Sequence, residues 1–158
     1  MHRNDAAEGD LATGAPTVAA AGLGTVRRMF EAAERRDAEA LLSTYAHDIV
    51  ITEAPSLPYG GIYHGHHGAA RHAQAYIATW DRLQSTADRR MEPLIWPADD
   101  CVVALWRQKA TAADGRHLDL RVLDLIELRN GKVGSLRMFP SDIAELLDFL
   151  QTGPADSA

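Results

Sequence analysis

Cysteine is almost absent from the sequence, and so are the features of several large classes of protein. The 158 residues include one cysteine, Cys101, which excludes an internal disulfide and fits a reducing cytoplasm. Apolar runs stay short of the roughly 20 residues that a membrane-spanning helix needs. The net charge is −6 without a basic stripe. We therefore expect a cytoplasmic protein whose partners include neither a membrane nor a nucleic acid.

Two catalytic signatures are also missing, and the positions of the histidines do not indicate a metal site. Gly22–Gly24 lacks the preceding strand that a dinucleotide fold requires, and there is no Ser/His/Asp nucleophile elbow. Four histidines straddle a loop and the start of a helix, where imidazoles commonly face solvent: His64, His66, His67 and His72. We expect no metal and no cofactor. A donor role toward a substrate oxygen stays open for His64 or His67.

The composition and the two ends predict one domain between two tails. Apolar residues make up 46% and charged residues 24% of the chain, as in an ordinary globular protein. Residues 1–22 are rich in alanine and glycine and lack a basic segment followed by an apolar core, so they predict a disordered tail and not a signal peptide. Residues 151–158 are expected to fray. The single domain therefore spans 23–150.

Hydrophobic periodicity predicts helices in the first half of the domain. Thr25 as N-cap opens a helix over 26–36, and Asp37 caps a second helix over 38–46. A third helix is predicted over 68–83, after a loop rich in proline and glycine.

The second half of the domain changes to a period of two, which is typical of strands. Turn signals at Asp114-Gly115 and Asn130-Gly131 predict hairpins. Strands are predicted there at 87–96, 101–112, 116–128 and 132–139, and one earlier strand is predicted at 49–53, between the second helix and the loop. With a last short helix over 143–150, the pattern predicts an α+β fold in which a curved sheet wraps around helices.

One predicted strand carries a carboxylate on its apolar face. Alternation between 118 and 128 places Asp124 on the same side as five aliphatic residues, Val122 among them. Burial of an ionised carboxylate costs several kcal/mol unless it is paired or takes up a proton. Asp124 is therefore either an acid/base residue or a structural aspartate satisfied by a buried arginine or by backbone amides.

The order of elements and three segments carry a family resemblance. The segments are Arg36–Asp48, Tyr59–Gly65 and Leu125–Val133. Over 23–150 the chain resembles the SnoaL-like branch of the nuclear transport factor two-like superfamily. The resemblance implies a cone-shaped α+β barrel with a deep apolar pocket, mostly as a homodimer. The same fold hosts many chemistries, so the resemblance is specific for fold and weak for function.

The functional positions of two related enzymes with this fold can be matched to residues of this chain. Glu53 matches the general-base aspartate of ketosteroid isomerase, and Asp124 matches its protonated oxyanion-hole aspartate. The oxyanion-hole tyrosine of that isomerase falls on Met29, which argues against steroid isomerisation. The last-strand aspartate of limonene epoxide hydrolase falls on Met138, so that constellation is absent, although a different carboxylate arrangement stays open.

We interpret the chain as a cofactor-independent acid/base enzyme that cyclises or isomerises a small apolar carbonyl compound of the polyketide type in a deep hydrophobic pocket. Asp124 is expected to be the principal acid/base, with Glu53 as the second carboxylate. The residues expected to bind substrate are Met29, Tyr59, His64, His67, Trp106, Val122, Leu136 and Met138.

Other functions stay open at this stage. They are a non-catalytic module for small-molecule binding or dimerisation, and an epoxide hydrolase or pericyclic cyclase on the same scaffold. An open pocket favours an enzyme, whereas a filled cone with Asp124 paired to a buried arginine favours the module. The opposite face of the strand exposes Leu123 and Leu125, which indicates a homodimer through the outer face of the sheet.

Overall fold

The computed structural model describes residues 14–151; residues 1–13 and 152–158 lie outside the description, and with them most of both predicted tails. The described chain forms helices α1 (Val18–Ala21), α2 (Leu23–Arg35), α3 (Ala38–Ser43), α4 (Gly65–Trp80) and α5 (Ile143–Gln151). Its strands are β1 (Tyr45–Glu53), β2 (Gly61–His64), β3 (Leu94–Ala98), β4 (Cys101–Thr111), β5 (His117–Arg129) and β6 (Lys132–Pro140). The predicted α+β fold is confirmed.

The strands form one six-stranded mixed sheet in the order β2-β1-β6-β5-β4-β3. Only the β1–β6 pair among these neighbours is parallel, and the others are antiparallel. The predicted hairpin turns are present, with Gly115 and Gly131 at positive φ. The inner side chains of β4, β5 and β6 face helices α2, α3 and α4 across a cavity. The sheet therefore supplies one wall of the candidate site, and the helices supply the other.

Helix boundaries differ from the sequence predictions at both ends of α2 and α4 and at the end of α3. Helix α2 begins at Leu23, so Thr25 is not its N-cap, and the Thr25 hydroxyl donates to the Gly131 carbonyl at 2.8 Å. Asp37 is the N-cap of α3, where its carboxylate accepts from the Ala40 amide at 3.0 Å. That helix ends at Ser43 because Tyr45 already pairs with β6. Helix α4 starts three residues earlier than predicted, directly after the unpredicted strand β2.

The N-terminal prediction also needs a correction within the described chain. Residues 18–21 form helix α1, and Ala19 is fully buried, so this part of the expected tail packs onto the domain. Gly22 makes that packing possible, because a Cβ atom there would lie 1.6 Å from the Leu128 side chain. None of the helices between residues 14 and 151 combines the length and the apolar character that crossing a membrane would need.

The first strand of the second half is the least accurate prediction. It was expected at 87–96, but β3 covers only Leu94–Ala98. The preceding segment is instead held by single contacts: the Met91 amide donates to the Glu34 carboxylate, and the Arg107 amide donates to the Met91 carbonyl. Glu92 has a positive φ of 49°, which is incompatible with a regular strand.

Candidate active site

A cavity lies between helices α2, α3 and α4 and the inner face of strands β4 to β6. It encloses about 730 Å³ of empty space when its open mouth is included. Its wall is mainly apolar, with a few polar side chains. The residues that line it are Met29, Phe30, Ala32, Ala33, Arg36, Asp37, Ala38, Leu41, Tyr45, His72, Ala73, Tyr76, Ile77, Met91, Trp106, Asp124, Leu136 and Met138.

Asp124 lies on the inner face of β5, as the alternation of that strand predicts. It is 2% exposed, and its Oδ1 accepts a hydrogen bond from the indole nitrogen of Trp106 at 3.0 Å. Burial raises the pKa of Asp124 well above its ordinary value, the indole hydrogen bond opposes the rise, and the charge of Glu53 adds to it. A neutral indole stabilises an anion less than a guanidinium would. Burial therefore favours the protonated form of the Asp124 carboxyl.

No arginine or lysine within residues 14–151 forms a hydrogen bond or ion pair with Asp124. The alternative of a structural aspartate neutralised by a buried arginine therefore has no support. The Trp106 donor is itself held in place, because the Phe30 ring packs edge-on against its indole with centroids 6.5 Å apart.

Glu53 and His72 form a buried pair beside the cavity. Glu53 ends β1 on its inner face and is 5% exposed. Its Oε1 lies 3.0 Å from Nε2 of His72, which α4 presents from the opposite wall. Burial raises the pKa of Glu53, and the hydrogen bond and charge of His72 oppose that rise. His72 lines the cavity and Glu53 does not, so Glu53 acts on the cavity through the imidazole.

The predicted substrate-binding residues divide into two groups. Met29, Trp106, Leu136 and Met138 line the cavity together with Asp124. The other four lie elsewhere: Tyr59, Val122, His64 and His67.

Each of these four has a physical reason for its place outside the cavity wall. The Tyr59 ring is packed in the core against Tyr76, with centroids 5.1 Å apart. Val122 faces inward but is buried in the hydrophobic core. His64 and His67 are exposed, because they flank the turn at Gly65 where the chain enters α4. The predicted rim role for these two histidines therefore has no support in the geometry.

The sequence reasoning did not single out His72, the histidine that lines the cavity. His72 was noticed only as part of a histidine cluster, yet it lies three residues after Ala69 and four before Tyr76, on the inward stripe of α4. That helical spacing was the available signal. Tyr45 was assigned to a helix, although it begins β1 and lines the cavity.

The cationic side chain in the cavity wall is Arg36, at the end of α2. Its guanidinium pairs with Asp81 and donates through Nη2 to the Gln84 side chain at 2.9 Å. Neither Asp81 nor Gln84 lines the cavity. Within residues 14–151, no group of three histidine, cysteine, aspartate or glutamate side chains is arranged to hold a metal ion.

The arrangement has the parts of a general acid/base site. When Glu53 is ionised, its carboxylate accepts from Nε2 of His72, and Nδ1 is then the nitrogen free to take a proton. Asp124 offers the complementary function, a neutral carboxyl that can donate to an oxygen. Apolar walls around both groups exclude water and strengthen each electrostatic contact.

Comparisons with solved structures place this fold among known proteins. TerC, crystallised with polyporic acid, superposes with a TM-score of 0.71 at 17% identity over 84% of this chain and 99% of its own. A protein of unknown function described as NTF2-like, from Burkholderia pseudomallei, gives 0.70 at 24% identity over 83% and 98%. A candidate polyketide cyclase from Xanthomonas campestris gives 0.64 at 17% identity over 82% and 96%. At these identities the likeness shows the fold alone.

The sequence itself carries the family assignment. No curated protein matches the chain. The model of the SnoaL-like domain family matches residues 26–135, which is more than half of the sequence and includes Glu53, His72 and Asp124. The chain belongs to the SnoaL-like domain family, on the nuclear transport factor two-like fold.

Proposed function

We propose that the protein is a cofactor-independent acid/base enzyme that enolises a small apolar carbonyl compound and so promotes its cyclisation or isomerisation. One observation carries the proposal: Asp124, whose pKa is raised by burial, and His72, which is paired with Glu53, line the same apolar cavity. Cyclases and isomerases occur in the SnoaL-like family, which agrees with this chemistry.

The first step is a proton transfer from carbon. Nδ1 of His72 removes a proton from the carbon next to the substrate carbonyl, and Glu53 stabilises the imidazolium that forms through the 3.0 Å contact to Nε2. Asp124 hydrogen-bonds to the carbonyl oxygen, or transfers its proton to it, as negative charge develops there. Because Oδ1 of Asp124 accepts from Trp106, Oδ2 is the oxygen that carries the proton.

The second step uses the enol in one of two ways. In a cyclisation, the enol carbon attacks a second carbonyl of the same molecule, and the imidazolium of His72 returns its proton to the new alkoxide. In an isomerisation, the same proton returns to a different carbon. In either route the carbonyl re-forms, and a proton that Asp124 gave to its oxygen returns to Asp124, so both residues end as they began. The walls contribute by holding a flexible substrate folded, which can replace much of the entropic barrier.

The proposal is tested by proton exchange, because the natural substrate is not needed. Enolisation of 2-tetralone in D₂O, followed by ¹H NMR, reports removal of the proton next to the carbonyl. We expect exchange above the buffer rate in the unmodified protein, and a loss of roughly 10²-fold or more in His72→Gln and Asp124→Asn.

His67→Gln is the matched control, since it changes an exposed histidine on the same helix. It should exchange like the unmodified protein. Exchange that is equal in the unmodified protein, His72→Gln and Asp124→Asn would refute acid/base catalysis and favour the non-catalytic binding module.

The outer face of the sheet supports a second proposal, on assembly. Strand pairing aligns two cross-strand rows of outward side chains, one on each side of the row that contains Asp124. Leu94 is 56% exposed, and Trp96 and Phe139 are each 43% exposed. The two rows, which we call the outer sheet surface, are Leu94–Leu105–Leu123–Phe139 and Trp96–Val103–Leu125–Arg137.

We propose that a second copy of the chain covers the outer sheet surface. The outward residues on the two sides of Asp124 in β5 can pair with each other in a symmetric contact between two copies. If a two-fold axis passes at Asp124 and runs across the strands, Leu123 of one copy faces Leu125 of the other. The same axis places Arg121 of one copy opposite Glu127 of the other. An isologous contact of this kind buries the apolar rows and pairs opposite charges at their edges. The contact would also support β5, the strand that carries Asp124, on the face opposite the cavity.

A further inference from the structure

Two arginines share a single carboxylate beside the cavity. Nη1 of Arg36 and Nη2 of Arg89 both contact Oδ1 of Asp81, the Arg89 contact at 3.3 Å. No other acidic side chain within residues 14–151 forms an ion pair with either arginine. Two guanidinium charges and one carboxylate leave this cluster with one positive charge in excess, and the proposed acid/base steps use none of the three side chains.

Arg36 connects the cluster to the cavity at its open side. Its side chain lines the cavity and is 11% exposed, whereas the side chain of its partner Asp81 is 58% exposed. The next two residues, Asp37 and Ala38, line the cavity and are exposed to solvent. This part of the wall therefore lies at the opening, and a ligand that contacts Arg36 there can extend into the cavity.

The guanidinium of Arg36 is held in a fixed orientation and still has N–H groups to spare. Its Nη2 donates to Oε1 of Gln84 at 2.9 Å, and Nε2 of the buried Gln84 donates to the Lys109 carbonyl at 2.8 Å. A guanidinium has five N–H groups. Asp81 and Gln84 are the acceptors that Arg36 has within residues 14–151, so the remaining N–H groups can donate to a ligand.

The backbone conformation of Arg36 is unusual for a residue with a long side chain. It follows the last residue of α2 with a positive φ of 55°, in the left-handed region where helices commonly end on glycine. A side chain at such a position strains the backbone, and glycine would avoid that strain. An arginine in this place indicates that its side chain has a use.

The charge of Asp81 alone does not compensate the two arginines. Burial lowers the pKa of Arg36, the charge of Arg89 lowers it further, and Asp81 opposes both effects. Nε of Arg89 is also buried and has no acceptor within residues 14–151. The Asp37 carboxylate is held elsewhere, because it accepts from the Ala40 amide at the start of α3. A second anion beside Arg36 would supply the missing negative charge.

We infer that Arg36, supported by the charge of Arg89, binds a carboxylate at the opening of the cavity. The substrate is then a keto acid whose carbonyl lies deeper, between Asp124 and His72. This inference rests on the proposed acid/base function and narrows its substrate class. A carboxylate carries one negative charge, which matches the excess charge of the cluster, whereas a phosphate monoester carries nearly two. Its two oxygens also match the planar fork of a guanidinium.

Three ligands with the same ring system separate charge from apolar contact. 2-Naphthoate carries a carboxylate, 2-naphthamide is its neutral counterpart, and 2-naphthyl phosphate carries the higher charge. Isothermal titration calorimetry near neutral pH gives a Kd for each ligand. We expect the unmodified protein to bind 2-naphthoate about 10- to 100-fold more tightly than 2-naphthamide, as for hydrogen bonds to a charged group. It should bind the phosphate no more tightly than the carboxylate.

Substitutions of single arginines test which side chain is responsible. Arg36→Gln should abolish the preference for 2-naphthoate over 2-naphthamide, while 2-naphthamide itself loses little affinity and thereby shows that the cavity is intact. Arg89→Gln should reduce the preference by a smaller factor, because Arg89 acts through its charge. Arg82→Gln is the matched control and should keep the preference, since Arg82 is exposed next to Asp81 and forms no ion pair within residues 14–151.

Three results would overturn the inference. The carboxylate site is refuted if the unmodified protein binds 2-naphthoate no better than 2-naphthamide, or if Arg36→Gln keeps the preference. Tighter binding of 2-naphthyl phosphate than of 2-naphthoate refutes the choice of a carboxylate. Proton exchange of 2-tetralone, which has no acid group, tests the proposed function separately in the unmodified protein. Exchange without the preference removes the carboxylate site and keeps the acid/base enzyme, whereas the preference without exchange does the reverse.

Discussion

Replacing Asp124 by asparagine should remove a pH dependence that the burial of its carboxyl imposes on the stability of the fold. The pKa of Asp124 is raised in the folded protein, whereas in the unfolded chain it returns to about 3.9. Between these two values the folded state binds more protons than the unfolded state, so the free energy of unfolding falls as pH rises. The contribution of the protonated Asp124 to the free energy of unfolding is fully present below about pH 4. It is lost as the pH rises through the pKa of Asp124 in the folded protein.

The size of the effect follows from the elevation of the pKa. Each unit by which the folded pKa of Asp124 exceeds its unfolded value costs the ionised protein about 1.4 kcal/mol. Asparagine keeps an oxygen that can accept from the Trp106 indole and has no charge to desolvate. For a domain of this size, each kcal/mol corresponds to about 3 to 6 °C in Tm. The advantage in Tm of Asp124→Asn over the unmodified protein should therefore grow with pH.

Thermal or urea denaturation between pH 5 and pH 8.5 measures this difference. Asp119→Asn on the outer face of the same strand is the matched control. Arg107 holds the pKa of Asp119 below its ordinary value, so this carboxylate is ionised in both states throughout that range. Its substitution should shift stability by a constant amount. A difference between Asp124→Asn and the unmodified protein that stays flat with pH would refute the claim that burial keeps Asp124 protonated.

Two further predictions concern assembly and packing. Leu125→Asp places a charge in the centre of the outer sheet surface and should convert a dimer into a monomer in sedimentation velocity. A monomeric unmodified protein would contradict the proposed assembly. Gly22→Ala should lower the free energy of unfolding by about 1 to 3 kcal/mol, because its Cβ would overlap the Leu128 side chain. Gly24→Ala meets only the end of the Arg28 side chain at 3.4 Å and should be neutral or stabilising; equal effects of the two substitutions would contradict the packing of α1.

The position of Asp124 was predictable because strand alternation is a local property. Each residue of β5 faces opposite to its neighbour, so one charged residue among aliphatic ones could be assigned to the inner face from the sequence. The partner of that carboxyl was not predictable in the same way. Trp106 reaches Asp124 only through the pairing of β4 with β5, which depends on register and not on local pattern.

The base of the candidate site depends on contacts between distant elements. Glu53 could be placed at the end of a strand, but its contact with His72 joins β1 to α4. Tyr45 follows a helical pattern in the sequence, yet pairing with β6 draws it into β1, and a bulge then turns it inward. Tertiary pairing overrides local propensity at such positions, and Tyr45 was missed for this reason.

The protonation state of Asp124 is the central claim, and ¹³C NMR of carboxyl-labelled aspartate measures it directly. The Asp124 signal is assigned as the resonance that disappears in Asp124→Asn. We predict that it keeps the chemical shift of a protonated carboxyl well above pH 4, while the Asp119 signal titrates below its ordinary range. An Asp124 resonance that titrates near 3.9, the ordinary value for aspartate, would contradict the account, because the cavity would then hold a carboxylate and no acid.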